Sequence, residues 1–273
     1  MNTNHLSLFK RVIMTGNISQ VAKEIHVSQP AISMMLKRLE QDVGVPLYTI
    51  VGRNINVTDA GLTLLEFAES FLSLEEQIYR AMEEFQNGNR GRIVVGVSQV
   101  VGIYLLPKII LSFNQNHPNI TVDLEIRGDK EIENLVRLGS VDVGITLTPP
   151  EDHFSLRIRK ISDDELIGIQ PPFTLNFKKI LVPSDVPLTI NQAMGEQTMS
   201  IFSTEAVKQF VMRGMGYGVV LKSSVELEIT CGKLKYWDEY ESNLVTTNVL
   251  TRPAERLSKS VWFFLDHLKS VND

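Results

Sequence analysis

From Ile18 to Leu39 the apolar residues recur at intervals of three or four, and the run breaks once, at His26 and Val27. That spacing predicts two short helices joined by a tight turn. Val21, Ala22 and Ile25 form the apolar side of the first helix, with Ser19 placed to cap it. Ser28 is placed to cap the second helix, which starts at Gln29 and carries Pro30 in its first turn, where a missing N–H costs nothing. Ile32, Leu36 and Leu39 face the core, which leaves Gln29, Ser33, Met34 and Lys37 on the outer face. Two helices with a shared apolar face and a polar outer face, joined by a short turn, have the form of a DNA-reading helix-turn-helix. Before them, Leu6, Phe9 and Val12, with Leu8 and Ile13 alongside, predict a helix ending at Gly16. After them, Gly44-Val45-Pro46 stops the second helix. Leu47 to Val57 has strand-like residues on either side of Gly52-Arg53-Asn54, a short hairpin that completes a winged helix.

Thr58 and Asp59 are placed to cap a helix running to about Gln86. Leu64, Phe67, Phe71, Leu74, Ile78, Ala81 and Phe85 step along it by three and four, a heptad seam with glutamates off the seam. At 1.5 Å per residue the helix is about 45 Å long. The winged helix is too small to cover that length, so the seam is expected to pair with a second copy of the chain. Asn87 to Gly91 then reads as a hinge. From Arg92 strands and helices alternate: strands at Ile93–Val97, Ile120–Ile126 and Val141–Leu147, with helices from Pro107 and over Asp129–Leu138 between them. A second unit has strands at Lys179–Val182, Met199–Phe202 and Tyr217–Leu221, with a helix at Thr204–Arg213. Leu244–Leu250 reads as a strand returning to the first unit, and Leu257–Leu268 as a closing helix. The expected fold is a winged helix-turn-helix followed by an α/β domain of two Rossmann-like lobes, of the periplasmic-binding-protein kind, enclosing a cleft. Residues 1–58 form the first domain, 59–90 the long helix and hinge, and 91–273 the α/β domain, with lobes at about 91–165 plus 243–273 and at 166–242.

Charge sharpens this division. The chain carries −5 overall, yet residues 1–57 hold six bases against three acids, residues 58–87 one base against seven acids, and the remainder 20 bases against 22 acids. The local excess of +3 is what phosphates would meet, and it is modest, so tight binding calls for two or more copies. No apolar run approaches the ~20 residues of a membrane span, and the N-terminus lacks the pattern of a secretory signal. Cys231 is the only cysteine. Disulfides within the chain and cysteine-based metal sites are thereby excluded, and a reducing cytoplasm fits.

In this order the parts resemble a LysR-type transcriptional regulator of bacteria, essentially from end to end. The resemblance is strongest at Ala22, Ser28-Gln29-Pro30-Ala31, Ser33, Leu39-Glu40, Gly44-Val45-Pro46-Leu47, Thr58 and Ala60-Gly61. In the α/β domain it rests on Leu105-Leu106-Pro107, Phe113, Pro118, Gly139, Asp142-Val143-Gly144-Ile145, Ser203-Thr204-Glu205-Ala206 and Gly214-Met215-Gly216-Tyr217-Gly218. It implies a homo-oligomer, usually a dimer of dimers, on an interrupted palindrome near a promoter. A small effector in the cleft would change DNA bending or contact with RNA polymerase. The chain departs from the family at Met34, where arginine is common, at Tyr48-Thr49-Ile50, and in a shortened stretch between Pro171 and Ser203.

The candidate DNA contacts are Gln29, Ser33 and Lys37, able to bond base edges or phosphates. Pro30 and Met34 offer apolar contact to a thymine methyl, Arg53 lies on the wing, and Ser19, Gln20 and Ser28 are at helix starts. The candidate effector contacts follow strands of the α/β domain: Ser98, Gln99, Val100, Gly128, Asp129, Thr146, Ser203 and Thr204. Ligands in such folds bind at the carboxyl ends of strands, and helix N-termini there favour an anion, although Asp129 would oppose one. Gly214 to Gly218 follows a helix and enters a strand, the reverse of a dinucleotide loop. The five histidines are scattered, and neither a triad nor a carboxylate pair is visible, so no catalytic residue, metal or cofactor is expected. A solute-binding protein using only the α/β domain and an α/β enzyme are the competing readings. The winged helix argues against the first and the missing nucleophile, metal and cofactor motifs against the second.

Overall fold

The computed structural model describes residues 2–51, 54–86, 91–150, 155–174, 179–187, 198–254 and 257–270. The chain divides into two compact units, Met1–Tyr79 and Arg80–Asp273.

In the first unit, helices α1 (Thr3–Thr15), α2 (Ile18–Glu24) and α3 (Gln29–Val43) precede the hairpin strands β1 (Tyr48–Val51) and β2 (Asn54–Val57). Phe9, Val12, Val21, Ile32, Leu36 and Leu39 are fully buried in one core. Each such side chain contributes about 1.5–3 kcal/mol, and together they fix how α3 is presented. The glycines at both helix ends do what their positions require: Gly16 (φ 68°) and Gly44 (φ 83°) take the left-handed conformation that ends α1 and α3. Helix α4 (Asp59–Gln86) follows, with Thr58 Oγ1 accepting from the Gly61 N–H at 3.1 Å and donating to the Pro46 carbonyl at 2.9 Å. Here the chain is closely apposed: a Cβ on Gly61 would lie 2.0 Å from the Leu47 carbonyl oxygen.

The second unit is built on one mixed sheet of nine described strands. The first lobe has β3 (Gly91–Val97), α5 (Gln99–Tyr104), α6 (Leu106–Asn116), β4 (Ile120–Ile126), α7 (Asp129–Leu138) and β5 (Val143–Thr146). Strand β3 lies parallel to both β4 and β5. A 14-residue strand β6 (Arg157–Gln170) then runs into the second lobe. That lobe has β7 (Ile180–Pro183), β8 (Thr198–Ile201), α8 (Thr204–Met212), β9 (Tyr217–Leu221), the short helix α9 (Glu226–Thr230) and β10 (Lys235–Tyr236). Strand β7 is parallel to β8 and β9. Strand β11 (Asn243–Thr251) returns antiparallel to β6 along its length and to β5, and α10 (Lys259–Ser270) closes the first lobe through Val261, Phe264 and Leu268.

Strand β6 was not legible in the hydrophobic pattern, and the expected lobe boundary at 165/166 falls inside it. Its middle, Asp163-Asp164-Glu165, reads as a solvated charge run. In the fold those carboxylates are answered one by one. Asp163 accepts from Thr246 (2.8 Å), Asp164 from the Ser223 hydroxyl (2.5 Å), and Glu165 pairs with Lys222 (2.8 Å).

Candidate functional site

The outer face of α3 carries the expected reading residues. Ser28 caps the helix, its Oγ accepting from the Ala31 N–H at 3.4 Å, and Pro30 lies in the first turn. Gln29, Pro30 and Lys37 are exposed, Ser33 is half-buried, and Met34 is 69% exposed. The burial of Ile32, Leu36 and Leu39 below them leaves that face nothing within its own unit to pack on. His26 makes the turn with φ 55°, a left-handed conformation that histidine tolerates better than most residues.

The cap of α2 is a correction. Asn17, not Ser19, begins the helix, its side chain accepting from the Gln20 N–H at 3.1 Å. Ile18 is buried and already helical, which moves the cap one residue before it and leaves Ser19 on the first turn. Ser19 Oγ donates instead to Gln29 Oε1 at 3.3 Å, joining the starts of the two motif helices. Gln20 Nε2 is held by Glu24 Oε1 at 3.2 Å, and Arg11 pairs with the other oxygen of Glu24 at 3.1 Å. Lys10 pairs with Glu69 on α4 at 3.0 Å. Among the described bases of the first 57 residues, Lys10 and Arg11 are thus engaged with carboxylates. Arg53 lies outside the described residues.

Helix α4 divides the seam. Leu64 turns into the core of the winged helix beside Leu65 and the fully buried Ala68. Phe67, Phe71, Leu74 and Ile78 stand 48–70% exposed. Nothing is described of the side chains of Ala81 and Phe85.

In the second unit a cleft of about 440 Å³ lies between the lobes. Ser98, Gln99, Gly128 and Asp129 line it as expected. Val100, Thr146, Ser203 and Thr204 do not. Val100 belongs to the core, and Thr146 is fully buried, its hydroxyl donating to the Thr148 carbonyl at 2.9 Å. Ser203 is spent capping α8, accepting from the Ala206 N–H at 3.3 Å. The Thr204 N–H and hydroxyl both donate to Asp185, each at 2.9 Å. The lining instead includes Arg127, Thr148, Ser184, Asp185 and Phe202. These residues follow β4, β5, β7 and β8, so the rule that ligands meet strand carboxyl ends, applied to the second lobe as it was to the first, finds Ser184 and Asp185.

Among the described residues, two polar atoms at the cleft are without a hydrogen-bond partner. Ser98 precedes α5 without capping it, and its buried hydroxyl has no partner. Asp129 accepts on Oδ2 from the N–H groups of Leu147 (3.1 Å) and Thr148 (2.8 Å), tying the end of β5 to α7, while its buried Oδ1 has none. Burial lifts the Asp129 carboxyl above its usual value, against the bonds from Thr148 and Leu147 that favour the charge. Arg127 is held by Glu125 at 3.0 Å and Glu131 at 3.2 Å. The site can bind a polar molecule by hydrogen bonds. Among the described residues no group of three or more histidines, cysteines or carboxylates could hold a metal, and no helix is long and apolar enough to cross a membrane.

Comparison with known proteins agrees with this geometry. The model for bacterial regulatory helix-turn-helix proteins of the lysR family matches residues 3–62, and that for the LysR substrate binding domain matches residues 86–176. A probable RuBisCO transcriptional regulator of Trichormus variabilis is 33% identical over 257 residues, covering 85% of this chain and 76% of its own length. The fold matches the crystal structure of CbnR, a LysR family transcriptional regulator, with a TM-score of 0.75 at 20% identity over all of both chains. Full-length CbnR complexed with its target DNA gives 0.73 at 20% identity, over 99% of each chain. The chain belongs to the lysR family of bacterial helix-turn-helix proteins and is a DNA-binding transcriptional regulator, not an enzyme.

Proposed function

We propose that the chain binds promoter DNA as a dimer, reads it with the outer face of α3, and answers to a small molecule in the cleft. The observation that carries this reading is the face itself. Gln29, Pro30, Met34 and Lys37 project from a helix whose opposite side is locked into a core. Gln29 suits adenine, Lys37 suits guanine or phosphate, and Met34 suits a thymine methyl. The bond from Ser19 holds the Gln29 side chain in place before DNA arrives, which lowers the entropy cost of reading. A local excess of a few positive charges, with Lys10 further engaged by Glu69 of α4, is weak attraction for one copy, and two copies on adjacent half-sites supply the rest. The exposed seam of α4 is the surface through which those copies pair, and paired dimers extend the same scheme.

The cleft supplies the regulation. Unsatisfied Ser98 and Asp129, together with Gln99 and the exposed ring of Phe202, favour a compact molecule with both polar and apolar parts. DNase footprinting on the DNA upstream of its own gene, at fixed low salt, tests the reading. Protection over an interrupted palindrome is expected, and no protection by the intact chain would end it.

A further inference from the structure

Lys208, on α8 of the second lobe, is buried, 2% exposed. Four acceptors surround its Nζ: Glu228 Oε1 and the Ser224 carbonyl at 2.8 Å, Tyr104 Oη at 2.9 Å, and Glu205 Oε2 at 3.0 Å. The Tyr104 hydroxyl itself donates to Glu205 Oε2 at 2.7 Å. An ammonium has three protons. Glu228, Ser224 and Glu205, all in the second lobe, are enough to use them. Tyr104 comes from the first lobe, at the end of α5, and is the partner this lysine can lose without being left an uncompensated buried charge. Losing a carboxylate partner would be far more costly. The network therefore has a permanent part inside one lobe and a releasable part that crosses to the other.

Its placement gives that crossing a consequence. Helix α5 runs from Ser98 and Gln99, in the cleft, to Tyr104 six residues on, about 9 Å along the axis. Helix α8 starts at Thr204, held by the cleft residue Asp185, and carries Glu205 in its first turn and Lys208 in the next. Both halves of the contact thus ride on helices tied to the cleft, α5 by its own N-terminal residues and α8 through Asp185. The lobes are also joined by a shared core, in which Val182, Val186, Val219 and Leu221 pack with residues of the first lobe, and by β6 and β11, whose pairing shifts register at Thr247 and Asn248, a bulge of the kind at which paired strands bend and twist.

We propose that Tyr104, Glu205 and Lys208 form a clasp between the lobes that sets how far the cleft stands open, with the bulged β6–β11 pair as the flexing element. Tyr104 is a positioning residue in this scheme. It holds α5 against α8, and any molecule that shifts the start of either helix works against the clasp.

The test uses the full chain without any added small molecule, so it stands whether or not an effector is found. In Tyr104→Phe the ring stays and both cross-lobe hydrogen bonds go. Hydrogen exchange read by mass spectrometry is expected to quicken at least tenfold over residues 99–104 and 204–208, with α7 and β7 unchanged. Glu205→Gln, which keeps an acceptor for the Tyr104 hydroxyl but takes a carboxylate from Lys208, is expected to quicken exchange over 204–208 more than over 99–104. Glu228→Gln, confined to the second lobe, is expected to leave 99–104 at the wild-type rate. Unchanged exchange over 99–104 in Tyr104→Phe would overturn the proposal. So would an equal increase in every helix, which marks a general loss of stability, or the same effect on 99–104 from Glu228→Gln.

Discussion

Gln29 and Met34, five residues apart on α3, separate two questions, what base is read and how strongly phosphate is held. Removing the amide in Gln29→Ala should cost about 1–3 kcal/mol of operator affinity and relax the preference at one base pair. A titration against matched and mismatched sites at fixed salt measures both. Met34→Arg should act differently, by adding a phosphate contact to the family's usual position. Affinity should rise for all sequences alike, and the salt dependence should steepen by roughly 0.9 in the log–log slope for each copy bound. Asp129 offers a pH signature. Burial lifts its carboxyl above 3.8, so the folded chain binds that proton more readily than the unfolded chain does. This group therefore adds stability as pH falls through the interval just above 3.8, and withdraws it as pH rises again. Asp129→Asn should remove that contribution. Melting curves of the variant and wild type, compared from about pH 4 to 6, should diverge in that sense.

Helix α4 shows how one element serves two neighbours. Its first turns pack on the winged helix, and the fit at Gly61 is close enough that Gly61→Ala must push α4 away from Leu47. A loss of roughly 1–3 kcal/mol is expected, visible as a lowered melting temperature. Further along, Phe67, Phe71, Leu74 and Ile78 leave the core and keep their apolar faces exposed. Such a stripe on a helix of 28 residues is stable in water when a like helix covers it. Phe71→Asp combined with Ile78→Asp should yield a monomer by light scattering and weaken operator binding at least tenfold, while α1 to α3 stay folded. A wild type that is already monomeric would refute pairing through this helix.

For the molecule as a whole, charge and covalent order do separate work. A chain of net −5 can approach DNA because its bases are concentrated in the reading unit and its acids in the helix that follows. What the sequence determined alone is what local geometry encodes. The 3.6-residue period placed Ile32, Leu36 and Leu39 inward and the reading face outward. Ser28 and Pro30 marked the start of α3, the heptad steps picked out the outward stripe Phe67, Phe71, Leu74 and Ile78 but not the inward turn of Leu64, and alternating elements pointed to parallel units with a cleft. Each of these depends on residues within a few positions of one another. The tertiary structure decided the rest, because the contacts concerned join distant parts of the chain. Thr148 and Asp185, just past the ends of β5 and β7, line the cleft, while Thr146 on β5 and Val100 on α5 turn into the core. The acids of β6 lie in a strand because β11 and β9 pair with its backbone, and Thr246, Ser223 and Lys222 then meet their side chains. Tyr104 finds Glu205 and Lys208 across 101 and 104 residues, a pairing that no periodicity announces and that only the packing of the two lobes brings within hydrogen-bond reach.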